Sequence, residues 1–296
     1  MNFEQERAVK VAEIEAILGK YLPVSQVYQK EIAEAMEYSL MAGGKRLRPM
    51  LMKETYVLFG GASELIEPFM AAIEMIHTYS LVHDDLPAMD DDDYRRGRKA
   101  THIVYGEAMG ILTGDALLNY AFETAAGAFA LMPGSSLVIG RALAVLARKS
   151  GINGMIGGQV VDVSYAGKPI NQEVLDFIYA LKTGALIEGS MMVGAILAGA
   201  SDQDITIVEK IASNVGLAFQ IQDDILDITG TAEMLGKPVK SDEKNDKPTY
   251  AAVKGIEAAG REVETLSGEA LRLLLELPGD HGYLAWLFRE LIHRES

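Results

Sequence analysis

The chain has 296 residues, 49% of them hydrophobic, with nine prolines, no cysteine and a formal net charge of −15. The apolar share is enough for a sizeable core, and the lack of cysteine excludes disulfides and thiol chemistry and fits a reducing compartment. The acidic balance excludes nucleic acid as a main partner, so any basic site must be local and purposeful. Ala, Leu, Ile, Met and Glu dominate, which favours helices. With no Pro/Gly/Ser-rich linker and no sharp shift of composition, the expectation is a single all-α domain over residues 1–296.

The first stretch, MNFEQERAVKVAEIEAIL, is acidic and amphipathic and lacks the charged-then-apolar layout of a signal peptide. A soluble cytoplasmic protein is expected. Val9, Val11, Ile14, Ile17 and Leu18 recur at helical spacing, with Gly19 as a stop signal. Pro23 and Ser25 open a second helix through Met41, stopped by Gly43-Gly44. Lys45-Arg46-Leu47-Arg48-Pro49 follows, a basic cluster at a glycine-rich helix start, which is either an anion site or a basic capping turn. A third helix runs from about Pro49 to Phe59, and a fourth from about Ser63 to His83, with Ile66, Phe69, Met70, Ile73, Ile76, Tyr79 and Ser80 along or near its inner face.

That fourth helix delivers the stretch HTYSLVHDDLPAMDDDDYRRGRKATH, residues 77–102. Asp84, Asp85 and Asp90 to Asp93 crowd beside Arg95, Arg96, Arg98 and Lys99. Carboxylates this close repel one another, so something must offset them. A hard divalent cation does so, and Mg²⁺ is usually held by one or two carboxylates plus substrate phosphates. The arginines suit those phosphates, because a guanidinium forks onto phosphate oxygens. The bland alternative is a solvated acidic loop paired with the basic run. Against it, Asp84 and Asp85 end an apolar run, and a second acidic pair, Asp223-Asp224, recurs in a similar setting. On a straight helix Asp84 and Asp90 would lie on different faces, so a shared metal needs a local bulge at Pro87.

Residues 94–102 read as a loop and 103–131 as one long helix carrying Thr113, Gly114 and Asp115. Pro133-Gly134 breaks the chain, and Ser135 caps a helix through Lys149. Gly154, Gly157 and Gly158 suggest close helix approach, or a polar Gln159 lining a cavity. Residues 171–199 form another long helix, interrupted by Lys182, Thr183 and Gly184; a lysine there should be paired or bind an anion. The apolar run Ala185 to Ala200 contains Glu188 and is too short to span a bilayer. Residues 204–229 carry Asp223, Asp224 and Asp227 among Ile221, Ile225, Leu226 and Ile228, and the i, i+4 acids share a face. A polar loop from Leu235 to Pro248, with Lys237, Lys240, Lys244 and Lys247, precedes helices at about 255–277 and 281–294.

These motifs resemble those of the trans-isoprenyl diphosphate synthases, most like the bacterial short-chain farnesyl diphosphate synthases. Asp84-Asp85-Leu86-Pro87-Ala88-Met89-Asp90 matches the family's first aspartate-rich motif and Asp223-Asp224-Ile225-Leu226-Asp227 the second. GGKRLRP, RRG, KT, FQ and GK stand around them in the family's order, from about residue 38 to 250. The resemblance implies an all-α isoprenoid synthase fold: about ten or more mostly antiparallel helices around a deep central cavity, usually a homodimer, with the two motifs facing each other at the cavity mouth. It implies Mg²⁺, up to three ions, on Asp84, Asp90 and Asp223, supported by Asp85, Asp224 and Asp227. Asp84, Asp85, Asp90, Arg95, Lys182, Asp223 and Asp224 form the implied catalytic set. The allylic diphosphate would meet Arg95, Lys182, Thr183, Gln220 and Lys237; isopentenyl diphosphate would meet Lys45, Arg48, His77 and Arg96. His83 is expected to be structural.

The implied reaction condenses isopentenyl diphosphate with dimethylallyl or geranyl diphosphate to give farnesyl diphosphate and pyrophosphate. Tyr79 and Ser80 lie roughly 5–8 Å above Asp84 along the helix and are the expected chain-length residues. An aromatic at that position, with the two-residue insertion in the first motif, goes with C15 products in the family. A deeper floor would make the chain a geranylgeranyl diphosphate synthase (C20). A terpene cyclase would lack the Lys45/Arg48 site, a non-catalytic partner subunit would lack the aspartate motifs, and a calcium-binding helical protein would leave Lys45, Arg48, Lys182 and Lys237 unexplained. No nucleic-acid partner and no membrane span are expected.

Overall fold

A computed structural model describes residues 3–24, 27–229 and 249–292. The chain is all-α: among the described residues, strand is confined to one two-residue hairpin. Its contacts divide it into two compact units, residues 1–53 with 62–143, and residues 54–61 with 144–296.

Unit one is organised on α4 (Glu67–Asp84), which has Pro68 in its first turn and buries Phe69, Met70, Ile73, Met75, Ile76 and Tyr79. Against it pack α1 (Phe3–Lys20), α2 (Lys30–Leu40) and above all α6 (Glu107–Ala126). The second helix starts at Lys30, and Val24, Val27 and Tyr28 ahead of it are exposed; Ser25, part of the expected start, lies outside the described residues. Gly43 and Gly44 have φ of 84° and 128°, which ends that helix before α3 (Leu47–Leu58). The stretch expected as a loop after the acidic run is a hairpin, β1 (Tyr94–Arg95) and β2 (Arg98–Lys99), followed at once by α5 (Thr101–Tyr105). Arg96 and Gly97 at its tip both have positive φ, 52° and 74°, the requirement of a type I′ turn. The long helix expected over 103–131 is three, α5, α6 and α7 (Ala128–Leu131), broken at Gly106, where φ is 89°, and at Gly127.

Unit two centres on α12 (Asp202–Thr229), which packs on α14 (Ile256–Leu274) and α11 (Ala185–Leu197). α8 (Ser136–Ser150) and α9 (Met155–Tyr165) precede α10 (Gln172–Ile178), which Asn171 caps by accepting from Val174 N at 3.0 Å. Between α10 and α11, residues Tyr179–Gly184 form a π turn rather than the continuous α-helix expected. The helix expected over 255–277 is α14, and Gly255, with φ of 82°, separates it from a further short helix before it, α13 (Tyr250–Lys254); α15 (Gly282–Ile292) ends the described chain.

Including its π turn, Gln172–Leu197 is long and apolar enough to cross a membrane, contrary to the expectation from the shorter apolar run. However, 78% of its apolar window is buried in the protein, so it is a core helix. Lys237, its neighbouring lysines and the last four residues lie outside the described residues.

Candidate active site

The first acidic motif is shaped by Pro87. Leu86, Pro87, Ala88 and Met89 turn back on themselves, with Met89 N donating to Leu86 O at 2.8 Å and proline at the second turn position. The returning chain bonds the helix end: Asp90 N donates to Asp84 O at 2.9 Å and Asp92 N to Asp85 O at 3.2 Å. The expected bulge is therefore a full turn beyond the helix end, and it brings the backbones of Asp84 and Asp90 together. The two members of the Asp84-Asp85 pair differ. Asp84 is half-buried at the helix end. Asp85 is 2% exposed and gripped by Arg95, which donates from Nε at 2.8 Å and from Nη2. Burial pushes the Asp85 carboxyl above the usual carboxylate range and Arg95 partly offsets it. Arg95 also bonds Asp92 at 3.1 Å, so it acts here as a brace within the motif.

The basic cluster of unit one divides by orientation. Arg46 points inward: it is 2% exposed and bonds Glu15 at 2.6 Å, Glu74 at 2.7 Å and Leu40 O at 2.8 Å. It is a structural staple, and the sequence run KRLR gives no sign of it. Arg48 has its Nε buried with no acceptor among the described residues, and burial with the nearby Arg96 charge pulls it down to about 10. Arg96 donates to Gly43 O and lies so close to Gly44 that a Cβ there would meet its Cζ at 2.8 Å. His77 is held well below 6.5, first by burial and then by the charges of Arg48, Arg96, Arg46 and Arg95. Lys45 is exposed on the same turn. Arg46 has its counter-charges, whereas Arg48 and Arg96 keep their electrostatic strain, and an anion would relieve it.

The π turn of unit two positions Lys182 and Thr183. Lys182 Nζ bonds Asp162 Oδ2 at 2.6 Å, and Thr183 Oγ1 donates to Gln220 Oε1 at 2.9 Å. The close approach expected of the glycines is real: a Cβ on Gly158 would lie 2.2 Å from Lys182 N. Asp162, which sequence reading missed, stands four residues after Gly158, so the same helical face carries the close contact and the acid. Asp224 is 2% exposed and accepts from Tyr179 Oη and from Tyr250 N at 2.6 Å. Asp227 is also buried, and Asp223 alone of the three is half-exposed. Asp162, Tyr179, Lys182, Thr183, Gln220 and Asp224 line a cavity of about 160 Å³.

Tyr79 sits deep in α4 with its ring edge-on to His83, centroids 5.9 Å apart. Its hydroxyl is buried without a partner among the described residues, and burial backed by Asp84 pushes the phenol up to about 12. Ser80 donates to His77 O at 2.8 Å. His83 pairs with Ile111 O at 3.0 Å, and its ring lies close against Gly114.

The donor set fits magnesium. Among the described residues no three His, Cys, Asp or Glu side chains converge into a metal cluster by themselves. What the first motif offers is a pair of hard oxygen donors, Asp84 and Asp90, on adjoining backbone. Mg²⁺ takes one or two carboxylates in this way and fills its octahedron with phosphate oxygens and water.

A family model for polyprenyl synthetases matches residues 29–272. The chain is 46% identical over 245 residues to a geranylgeranyl diphosphate synthase of Cyanophora paradoxa, covering 82% of this chain and 81% of the relative. It is 41% identical over 286 residues to the farnesyl diphosphate synthase of Geobacillus stearothermophilus, covering 96% and 93%. The structure superposes with a TM-score of 0.83 on a geranyltransferase of Helicobacter pylori solved with magnesium and isoprenyl diphosphate, at 29% identity and over 99% of this chain and 97% of that one. The all-α architecture is thus the isoprenoid synthase fold, and the chain belongs to the polyprenyl synthetase family, the trans-isoprenyl diphosphate synthases.

Proposed function

We propose that this prenyltransferase condenses isopentenyl diphosphate with dimethylallyl and then geranyl diphosphate, releasing pyrophosphate and stopping at farnesyl diphosphate. The observation that carries the reading is the buried cation cluster of Arg48 and Arg96, which the Glu74 charge offsets only in part, beside His77. With Lys45 it suits the diphosphate of isopentenyl diphosphate bound without metal. Lys182, Thr183 and Gln220 suit the allylic diphosphate, with Lys237 as a further proposed contact. Asp162 holds the Lys182 ammonium in place, and the incoming diphosphate competes for it.

The allylic C1–O bond breaks with its electron pair leaving on pyrophosphate. The double bond of isopentenyl diphosphate attacks the allylic cation, forming the new C–C bond, and a proton is lost to the released pyrophosphate. The protein's part is to bind, orient and stabilise developing negative charge, so no protein nucleophile is needed. Magnesium on Asp84, Asp90 and Asp223, up to three ions, would neutralise the departing pyrophosphate; the magnesium in the Helicobacter relative supports this. Asp85 and Asp224, each already bonded within the protein, would hold their neighbours in place.

Tyr79 supports C15 as the stopping point, because a buried aromatic one turn above Asp84 can act as a floor. The alternative, a C20 synthase, is favoured by the 46% identity to a geranylgeranyl diphosphate synthase. Labelled isopentenyl diphosphate incubated with dimethylallyl, geranyl or farnesyl diphosphate and Mg²⁺, then sized by chromatography, decides. Accumulation of C15 with no extension of the farnesyl primer supports the proposal, and C20 supports the alternative. No incorporation with any primer overturns both.

One domain over residues 1–296, a cytoplasmic location and a homodimer belong to the same proposal. The single family model over residues 29–272 supports the first and the absence of cysteine fits the second. Exposed Ile103, Val104, Ile111 and Leu112 on α5 and α6 support the third, and sedimentation velocity reads it directly.

A further inference from the structure

The Arg95–Arg96 hairpin is short, sits in a charged stretch and is tipped by a turn in which Arg96 itself has positive φ. Arg95 is held independently by Asp85 and Asp92. Among the described residues Arg96 has only Gly43 O as a hydrogen-bond acceptor, so its placement depends on the hairpin backbone. Its guanidinium rests close against Gly44, but the packing beneath the hairpin is incomplete. A cavity of about 30 Å³, room for about one water, lies beneath the hairpin among Tyr38, Thr78, Arg95 and Arg96.

What does hold the hairpin is Tyr38 on α2. Ala100 N donates to Asp93 O at 2.8 Å, so residues 93 and 100 form a hydrogen-bonded pair. The next pair, Tyr94 and Lys99, is then the non-bonded kind, and the Lys99 carbonyl points away from β1. Tyr38 Oη donates to that carbonyl at 2.8 Å. The Arg98 guanidinium lies over the Tyr38 ring, 4.2 Å from its centroid, and the Tyr105 ring packs against Tyr38 in a T-shaped pair, centroids 5.6 Å apart. The adjacent Ser39 hydroxyl bonds Thr101 Oγ1 at 2.8 Å where the hairpin runs into α5. Two consecutive α2 side chains thus grip the outgoing strand and its exit.

We infer that Tyr38 is a positioning residue that fixes the hairpin and, through it, sets Arg96 for the diphosphate of the isopentenyl substrate. This rests on the proposed function, in which Arg96 binds that anion. Tyr38→Phe removes the bond to Lys99 O and keeps the ring under Arg98; a net hydrogen bond of this kind corresponds to about a five-fold rise in KM for isopentenyl diphosphate. Tyr38→Leu removes the cation–π contact as well and raises that KM about ten-fold or more. In both variants kcat and the KM for the allylic primer stay within about two-fold, since Arg95 keeps its own partners. Combined with Arg96→Lys, Tyr38→Leu adds little, because both act through one contact.

The assay is steady-state incorporation with each substrate varied in turn, alongside thermal unfolding of each variant. An active wild type whose KM for isopentenyl diphosphate is unmoved by Tyr38→Phe and Tyr38→Leu overturns the inference, even if the unfolding midpoint drops. Fully additive effects with Arg96→Lys overturn it too. If Tyr38→Leu does not fold, the KM of Tyr38→Phe decides alone. A wild type that incorporates nothing overturns the functional reading instead.

Discussion

Gly158→Ala tests how the π turn is seated. The added Cβ would lie 2.2 Å from Lys182 N and 2.8 Å from both Leu181 C and Lys182 Cα. All three are backbone atoms, so no side chain can swing aside, and α9 must move away from the π turn by about 1 Å to reach ordinary contact. Overpacking of this kind costs roughly 3 kcal/mol, which lowers the midpoint of a chain this size by roughly 5–10 °C. The same movement separates Asp162 from Lys182, now 2.6 Å apart, so allylic KM rises together with the loss of stability. Gly260→Ala is the control. Gly260 lies inside α14 with nothing within 4 Å of a built Cβ, and the substitution should stabilise by about 0.5–1 kcal/mol. Calorimetric unfolding of both variants, followed by initial-rate kinetics, reads the difference. If Gly158→Ala melts with or above the wild type, α9 does not press on the Lys182 backbone and the geometric argument is wrong.

Tyr79→Ala should lengthen the product beyond C15, whereas Tyr79→Phe should keep both product length and stability, because the hydroxyl it loses is buried without a partner among the described residues; chromatographic sizing and thermal melts check the pair. Arg46→Met leaves Glu74, 1% exposed, without its hydrogen-bonded ion-pair partner and should cost about 3–5 kcal/mol in urea unfolding, with Arg46→Met/Glu74→Leu recovering part of it. His77 gives a pH signature. Its folded pKa lies below the 6.5 of the unfolded chain, so its stabilising contribution is complete above 6.5 and is lost as pH falls from there towards the folded pKa. The midpoint of the wild type should therefore fall over that window more steeply than that of His77→Gln, and parallel curves would contradict the assignment.

The long amphipathic runs were legible because their apolar period matches the helices that form: α4 and α12 begin and end within a few residues of where the spacing puts them. The acidic motifs were legible for a related reason, since charges at the end of an apolar run stand out from ordinary surface. Other features left no periodic trace. The π turn at Tyr179–Gly184 adds one residue to a helical turn without altering composition. The hairpin at Tyr94–Lys99 is too short to alternate, and its turn is set by Arg96 and Gly97 φ angles that a charged run conceals. Arg46 and Arg48 look equivalent in KRLR; only the fold assigns Glu15 and Glu74 to one and leaves the other's Nε without an acceptor among the described residues. Asp162, Tyr179 and Tyr250 were missed because their partners, Lys182 and Asp224, are 20, 45 and 26 residues away in sequence.

Metal dependence of isopentenyl transfer tests the central claim most directly. Purified protein with labelled isopentenyl diphosphate and geranyl diphosphate should form prenyl product in Mg²⁺, form none once the metal is chelated, and recover on Mg²⁺ addition, with Asp84→Asn and Asp223→Asn each severely impaired in Mg²⁺. Equal rates in chelator and in Mg²⁺, or full activity in both aspartate variants, would contradict the account.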